Sequence, residues 1–218
     1  MLLNLLELIN KYNLNINNII HIGAHTGEEH ISYIQVNVSK VIYFEPLEWC
    51  YTRLYHHIAN LNVQYPNKIE TIIYPIALGN NQCMIDINIS KHKTVDCAFG
   101  ASSSILKPNK HLELHPDIIF KDVQKVSMNK LDNINISTNY NFINIDVQGY
   151  ELEVFKGAKN TLNNIDYIMT EVNIDEVYEN CAKIEELDDF LSKYRFKRVE
   201  TCMGGGLWGD AFYIKDNK

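Results

Sequence analysis

The sequence predicts an α/β fold, a doubly wound and mostly parallel sheet of seven strands carrying one antiparallel strand. Three observations predict it. Short apolar runs alternate with stretches of helical periodicity, and one run, "YNFINIDV" (140–147), is apolar without alternation, as in a strand covered on both faces. The chain then closes on two strand-like runs joined by a glycine-rich turn. With 218 residues, 46% of them hydrophobic, there is enough chain for one sizeable core but little for two, so a single domain over 1–218 is expected.

Each element has its own signature. In "MLLNLLELINKYNLN", Leu2, Leu5, Leu6 and Ile9 recur at helical spacing, an amphipathic helix within 1–16 packed on the domain. Glu7 inside that stretch, with no basic segment before it, argues against a signal peptide and for a cytoplasmic protein. "NIIHIG" (18–23) reads as the first strand and "GEEHISYIQV" as the following helix. "KVIYFEP" (40–46) is the second strand, followed by a helix from Trp49 to Leu61, and "IETIIYPIAL" (69–78) is the third strand. The region from 80 to 138 breaks the rhythm with the strand-like "MIDINIS" and "VQKVSM" around a serine-rich stretch, "GASSSILKP". It is too long for a bare loop and reads as an inserted cap or edge hairpin over a pocket. "YNFINIDV" leads into the helix "YELEVFKGAKNTL", with Leu152, Phe155 and Leu162 on one side. "IDYIMTEVN" (165–173) is the next strand. The helix "CAKIEELDDFLSKY" turns Ile184, Leu187 and Leu191 inward, and "RFKRVET" and "DAFYIK" form a hairpin around "CMGGGLWG".

A net charge of −7 excludes a general binder of phosphate backbones, which needs a basic face. Cys50, Cys83, Cys97, Cys181 and Cys202 are odd in number, scattered and without zinc spacing, as in a reduced intracellular protein. No segment approaches the roughly 20 apolar residues that span a bilayer.

The chemistry starts at "HIGAHTGEE" (21–29). Gly23 and Gly27 follow the first strand, where ligands sit in such sheets, at the reversal of strand order. A dinucleotide turn needs G-x-G-x-x-G, and here His25 stands where the second glycine lets a pyrophosphate approach. An imidazole is compatible with a nucleoside lacking phosphates. Glu45 ends the second strand roughly 20 residues on, where a carboxylate accepts hydrogen bonds from both ribose hydroxyls. A glycine turn without phosphate-reading geometry, plus a ribose acid, points to S-adenosylmethionine, framed by Gly23, Ala24, His25, Gly27, Glu45 and Pro46. The plain alternative is a structural turn and a solvated glutamate.

The segments "IIHIGAHTGEE", "VIYFEPLEWCYTRL", "YPIALGN", "NFINIDVQGYELEVFKGAKNTL", "IDYIMTEVN" and "LWGDAFYIK" together resemble the FkbM family of S-adenosylmethionine-dependent methyltransferases. "IDVQGYELEVFKGA" is the most specific of these and the glycine turn the least. The sequence departs from the family at His21, where many members carry an acid, and at Asn144 and Gln148, where Lys and Glu are common. The resemblance implies a Rossmann-like class I methyltransferase fold and O-methyl transfer to sugars, glycans or glycosylated small molecules. It also implies that Ala77 and Leu78 pack on the adenine.

Methyl transfer to a hydroxyl is an in-line displacement whose acceptor must lose a proton. Asp146, at the end of the fourth strand, is placed to act as base or to hold the cofactor's ammonium group, and otherwise caps the next helix. Glu171 is an orienting acid or auxiliary base. With Asn173 these two form an oxygen-rich trio that could ligate Mg²⁺, but the spacing is not diagnostic and a metal is not the favoured reading. Ser103, Tyr150, Asn173, Trp208 and Asp210 are candidates to bind the acceptor, and His111 and His115 are further candidates to line its site. An RNA cap or ribose methyltransferase would need lysines beside Asp146 and Glu171, which are missing. A non-catalytic binding module of the same fold stays open through Asn144 and Gln148.

Overall fold

The computed structural model describes residues 1–65, 69–95, 99–137, 139–204 and 206–216; Cys97, and Gly205 of the last turn, lie outside these. In chain order the first elements are α1 (Leu5–Tyr12), β1 (Asn18–Ile22), α2 (His30–Gln35), β2 (Lys40–Phe44) and α3 (Glu48–Gln64). β3 (Glu70–Tyr74), β4 (Ala77–Leu78), β5 (Cys83–His92), α4 (His111–Leu114) and β6 (Ile118–Asn129) follow. The chain ends with β7 (Phe142–Ile145), α5 (Glu151–Lys156), β8 (Tyr167–Asn173), α6 (Ile184–Ser192), β9 (Phe196–Met203) and β10 (Trp208–Lys215).

Seven strands form the main sheet in the order β3-β2-β1-β7-β8-β10-β9, and only β10 runs against its neighbours. The order reverses between β1 and β7, so the loops after Ile22 and Ile145 open side by side. Ile19, Ile20, Ile22, Phe142, Ile143 and Ile145 are almost fully buried, as expected of central strands covered on both faces. Leu5 and Leu8 of α1 pack into the same cluster as Ile19, Val41 and Phe142. Among the described residues no helix is long and apolar enough to cross a membrane.

Three local expectations need correction. The third strand is two strands in different sheets. Tyr74 ends β3, Pro75 has no N–H to continue the ladder, and Ala77–Leu78 pair instead with Met128 and Asn129 of β6. The helix expected over 150–162 stops at Lys156. A Cβ on Gly157 would lie 2.0 Å from the Gly79 carbonyl oxygen, so the two backbones touch there and the chain turns away. In α1 the buried residues are Leu5 and Leu8, while Leu6 and, ahead of the helix, Leu2 are exposed.

The inserted region is the antiparallel pair β5–β6, with the described residues 99–117, including α4, between. That segment is tied to the sheet from several sides. Asn88 exchanges backbone bonds with Ser104, the Ser104 hydroxyl donates to the Gln148 carbonyl at 2.7 Å, and the Tyr178 hydroxyl lies 2.9 Å from the Ser102 carbonyl. It thereby becomes a wall facing the loops after β1 and β7.

Candidate active site

Both glycines of the first turn have positive φ, +77° at Gly23 and +83° at Gly27, but they serve packing. A Cβ on Gly23 would sit 1.9 Å from the Asp146 carbonyl oxygen, because the turns after β1 and β7 cross in contact. A Cβ on Gly27 would meet Leu54 Cδ1 at 2.6 Å. The Gly27 N–H donates to the Ala24 carbonyl at 2.9 Å, and α2 starts only at His30, so Gly27 presents no helix N-terminus to a ligand. His25 holds a left-handed backbone, φ 45°, and its N–H donates to Glu45 Oε2 at 2.8 Å. Its ring bridges Glu28 and the Phe99 carbonyl, both at 2.9 Å. Burial opposes a charge on His25, but the neighbouring Cys50 together with Glu28 and the Phe99 carbonyl outweighs it and raises the pKa to about 11.

Beyond this turn lies a cavity of about 300 Å³, lined by Gly23, Ala24, His25, Glu45, Pro46, Ala77, Leu78 and Asp146, among others. Gly27 is not on its wall. Phe44, Ile76, Ala77, Leu78 and Ile87 make one part apolar. Glu45 is almost fully buried, and its other oxygen accepts from the Leu47 N–H at 2.9 Å. Burial, the largest influence, raises its pKa to about 7 against these two bonds, which lower it.

A second cavity of about 290 Å³ adjoins the first, and the two share Met1, Ala101, Asp146 and Gln148. Ser102, His111, His115, Glu171, Val177 and Trp208 line the second. Burial and the neighbouring His115 lower the pKa of His111 to about 4, so it is neutral at physiological pH. Among the described residues neither cavity has a lysine or arginine in its lining.

At the junction, Gln148 Nε2 donates to Asp146 Oδ1 and to Glu171 Oε2, each at 2.7 Å. Glu171 is almost fully buried. Burial first, then the charges of Asp146, Glu151 and Asp210, raise its pKa well above the ordinary carboxyl range. Oxygens of Asp146, Glu151 and Glu171 lie within 4.8 Å of one another, so Glu151 takes the place expected for Asn173 in a cation-like set. Glu151 is occupied, however, accepting from the Val147 and Gly149 N–H groups at 3.0 and 3.2 Å.

The expected acceptor residues separate. Trp208, His111 and His115 line the second cavity. Ser103 lines the first, and its hydroxyl accepts from the Ser90 N–H at 2.9 Å. Tyr150 packs in the core beside Gly79 and Met128. Asn173 is completely buried and lines neither cavity. Asp210 also lines neither; it turns inward and accepts the N–H groups of Leu2 and Leu3, fixing the start of the chain beside both cavities. Sequence reasoning missed Glu151, although an acid in a helix's first turn is a recognisable signal, and gave Gln148 no role.

The methyltransferase FkbM domain family matches residues 21–198. The 2-O-methyltransferase NoeI of Sinorhizobium fredii (strain NBRC 101917 / NGR234) is 24% identical over 180 residues, 81% of this chain and 71% of that protein. Magnesium protoporphyrin IX methyltransferase (ChlM) of Synechocystis PCC 6803, solved with bound SAM, aligns with a TM-score of 0.55 at 11% identity, over 97% of this chain and 76% of that one. TrmK of M. capricolum, in complex with S-adenosyl-homocysteine, aligns with a TM-score of 0.54 at 12% identity, over 100% of this chain and 70% of that one. These structures show the expected class I methyltransferase fold. By the family match, the chain belongs to the FkbM family of S-adenosylmethionine-dependent methyltransferases.

Proposed function

We propose that the chain transfers a methyl group from S-adenosylmethionine to a hydroxyl of an uncharged sugar, glycan or glycosylated small molecule. The observation that carries this reading is the junction of the two cavities, with Asp146 and Gln148 on both walls. The 2-O-methyltransferase relative supports oxygen as the acceptor atom. Among the described residues no lysine or arginine lines either cavity, which, with a net charge of −7, argues against a polyanionic acceptor such as RNA. In this reading residues 1–218 act as one domain, since α1 shares its core with β1, β2 and β7.

Glu45 accepts hydrogen bonds from the ribose, each of its oxygens retaining a lone pair beyond the backbone bond it already has. Ala77 and Leu78 give the adenine an apolar bed. The bound cofactor supplies an activated methyl group on a positively charged sulfur. Asp146, with Glu171 beside it, takes the proton that the acceptor hydroxyl loses. Trp208 offers a flat aromatic face to the acceptor.

Calorimetry tests the cofactor site. Glu45→Ala is expected to weaken S-adenosylmethionine binding about 100-fold, the scale of losing charge-assisted hydrogen bonds. Native affinity in that variant would overturn the assignment. Affinity in the wild type should also rise with pH up to about 7 and level off above it, since ribose donors favour the carboxylate form of Glu45. Glu45→Gln, which cannot ionise, should flatten that dependence. Labelled cofactor offered with a panel of free sugars, glycans and nucleotide sugars tests the acceptor. Label confined to the phosphate-bearing acceptors would refute this reading.

A further inference from the structure

Gln148 is held at both ends. Its two amide hydrogens go to Asp146 and Glu171, and its Oε1 accepts from the hydroxyl of the buried Tyr178 at 2.7 Å. Its backbone is left-handed, φ 55°, which residues other than glycine adopt only when their surroundings impose it. The Ser104 hydroxyl, donating to the Gln148 carbonyl at 2.7 Å, is one of those constraints. Two neighbouring acids, here the half-buried Asp146 and the buried Glu171, repel once both are ionised, and a bridging divalent cation is one common remedy. A neutral group with two hydrogens is another.

Building on the reading of this junction as a methyl-transfer centre, we propose that Gln148 is its positioning residue, an uncharged bridge holding Asp146 and Glu171 side by side. The amide differs from a cation in one useful respect. A divalent ion strongly suppresses protonation of the carboxylates it binds, whereas a neutral donor aligns them and leaves them able to take up a proton. Glu151 at α5 and Asp210 on β10 add negative charge to the pair. His21 on β1, Glu29 ahead of α2 and the amine of Met1 interact with Asp146, while Tyr178 faces Glu171. His111 and His115 complete the surround from the second cavity.

The test compares Gln148→Ala, Gln148→Glu and Tyr178→Phe with the wild type, each checked by thermal melting. In both Gln148 variants the affinity for S-adenosylmethionine should stay within about threefold of wild type, while kcat falls about 100-fold, the scale of misaligned reacting groups. The acidic limb of the kcat–pH profile should move up by about one unit, because the pair loses donors that favour its charged form. Tyr178→Phe keeps the amide but loosens it, and should lower kcat about tenfold. Gln148→Glu, with four acids converging, should bind Mn²⁺ more tightly than the wild type. Carbon-13 NMR of the Glu171 carboxyl supplies a readout independent of turnover: its titration should shift upward in Gln148→Ala. An unmoved pH limb with an unmoved Glu171 titration would overturn the proposal. So would loss of cofactor binding in folded Gln148 variants, which would make Gln148 a cofactor ligand instead. If the wild type itself failed to bind the cofactor, the methyl-transfer reading would fall, and the Glu171 titration would still decide whether Gln148 aligns the pair.

Discussion

Asp146→Asn lowers kcat by about 1,000-fold in the expected result, within the range for removing a general base, while S-adenosylmethionine affinity falls less than tenfold. Asparagine keeps the shape of the side chain, and its carbonyl oxygen still accepts from Gln148 Nε2, so the bridge to Glu171 survives. What disappears is the ability to take a proton. Glu171→Gln should cost less alone, because Asp146 stands at the shared wall of both cavities and Glu171 borders only the second. The double variant should be barely slower than Asp146→Asn, since groups acting as a unit do not contribute additively. Single-turnover kinetics beside calorimetry separates the two roles open to Asp146. If affinity falls in step with the rate, Asp146 is a ligand for the cofactor and the base lies elsewhere.

The sheet was legible because its strands are local statements. Ile19, Ile20 and Ile22, or Phe142, Ile143 and Ile145, announce burial by composition, and the helices between them show their own periodicity. That Glu45 and Asp146 would reach the crevice was legible for a related reason, since Asp146 follows β7 at the order reversal and Glu45 follows β2, one strand away. Where reading failed, the deciding contact was distant in the chain. Gly157 ends its helix because Gly79 lies against it, which no local pattern states. Asp210 sits in a family-like motif and looks like a sugar ligand, yet its carboxylate is taken by Leu2 and Leu3 from the opposite end of the sequence. Tyr150 is similar, an aromatic next to a functional loop whose ring is claimed by the core around Gly79 and Met128. Gln148 was visible only as a departure from the family. Its bonds run to Glu171 and Tyr178, so its role depends on strands and loops assembled from the second half of the fold.

Gly23→Ala is expected to cost on the order of 4 kcal/mol of stability, near the upper end for a single substitution. Two effects combine. The backbone there is at φ +77°, where a Cβ is strained by roughly 1–2 kcal/mol. The added methyl would also meet a backbone carbonyl, the Asp146 oxygen at 1.9 Å and its carbon at 2.8 Å, and backbone in a central strand turn cannot swing aside as a side chain does. Gly27→Ala has similar strain, φ +83°, but its methyl meets Leu54 Cδ1, the end of a flexible side chain, at 2.6 Å. Its loss should be about half as large, since a rotamer change relieves much of the overlap. Denaturant unfolding of the two variants gives the ranking directly. The functional consequence also differs. Relief at Gly23 requires Asp146 to move, so any folded fraction of Gly23→Ala should be slow in methyl transfer, whereas Gly27→Ala should retain its turnover once folded. Equal destabilisation of the two would mean that strain at positive φ is the whole effect. It would also mean that the turns after β1 and β7 do not meet at Gly23, removing the contact that sets Asp146 in place.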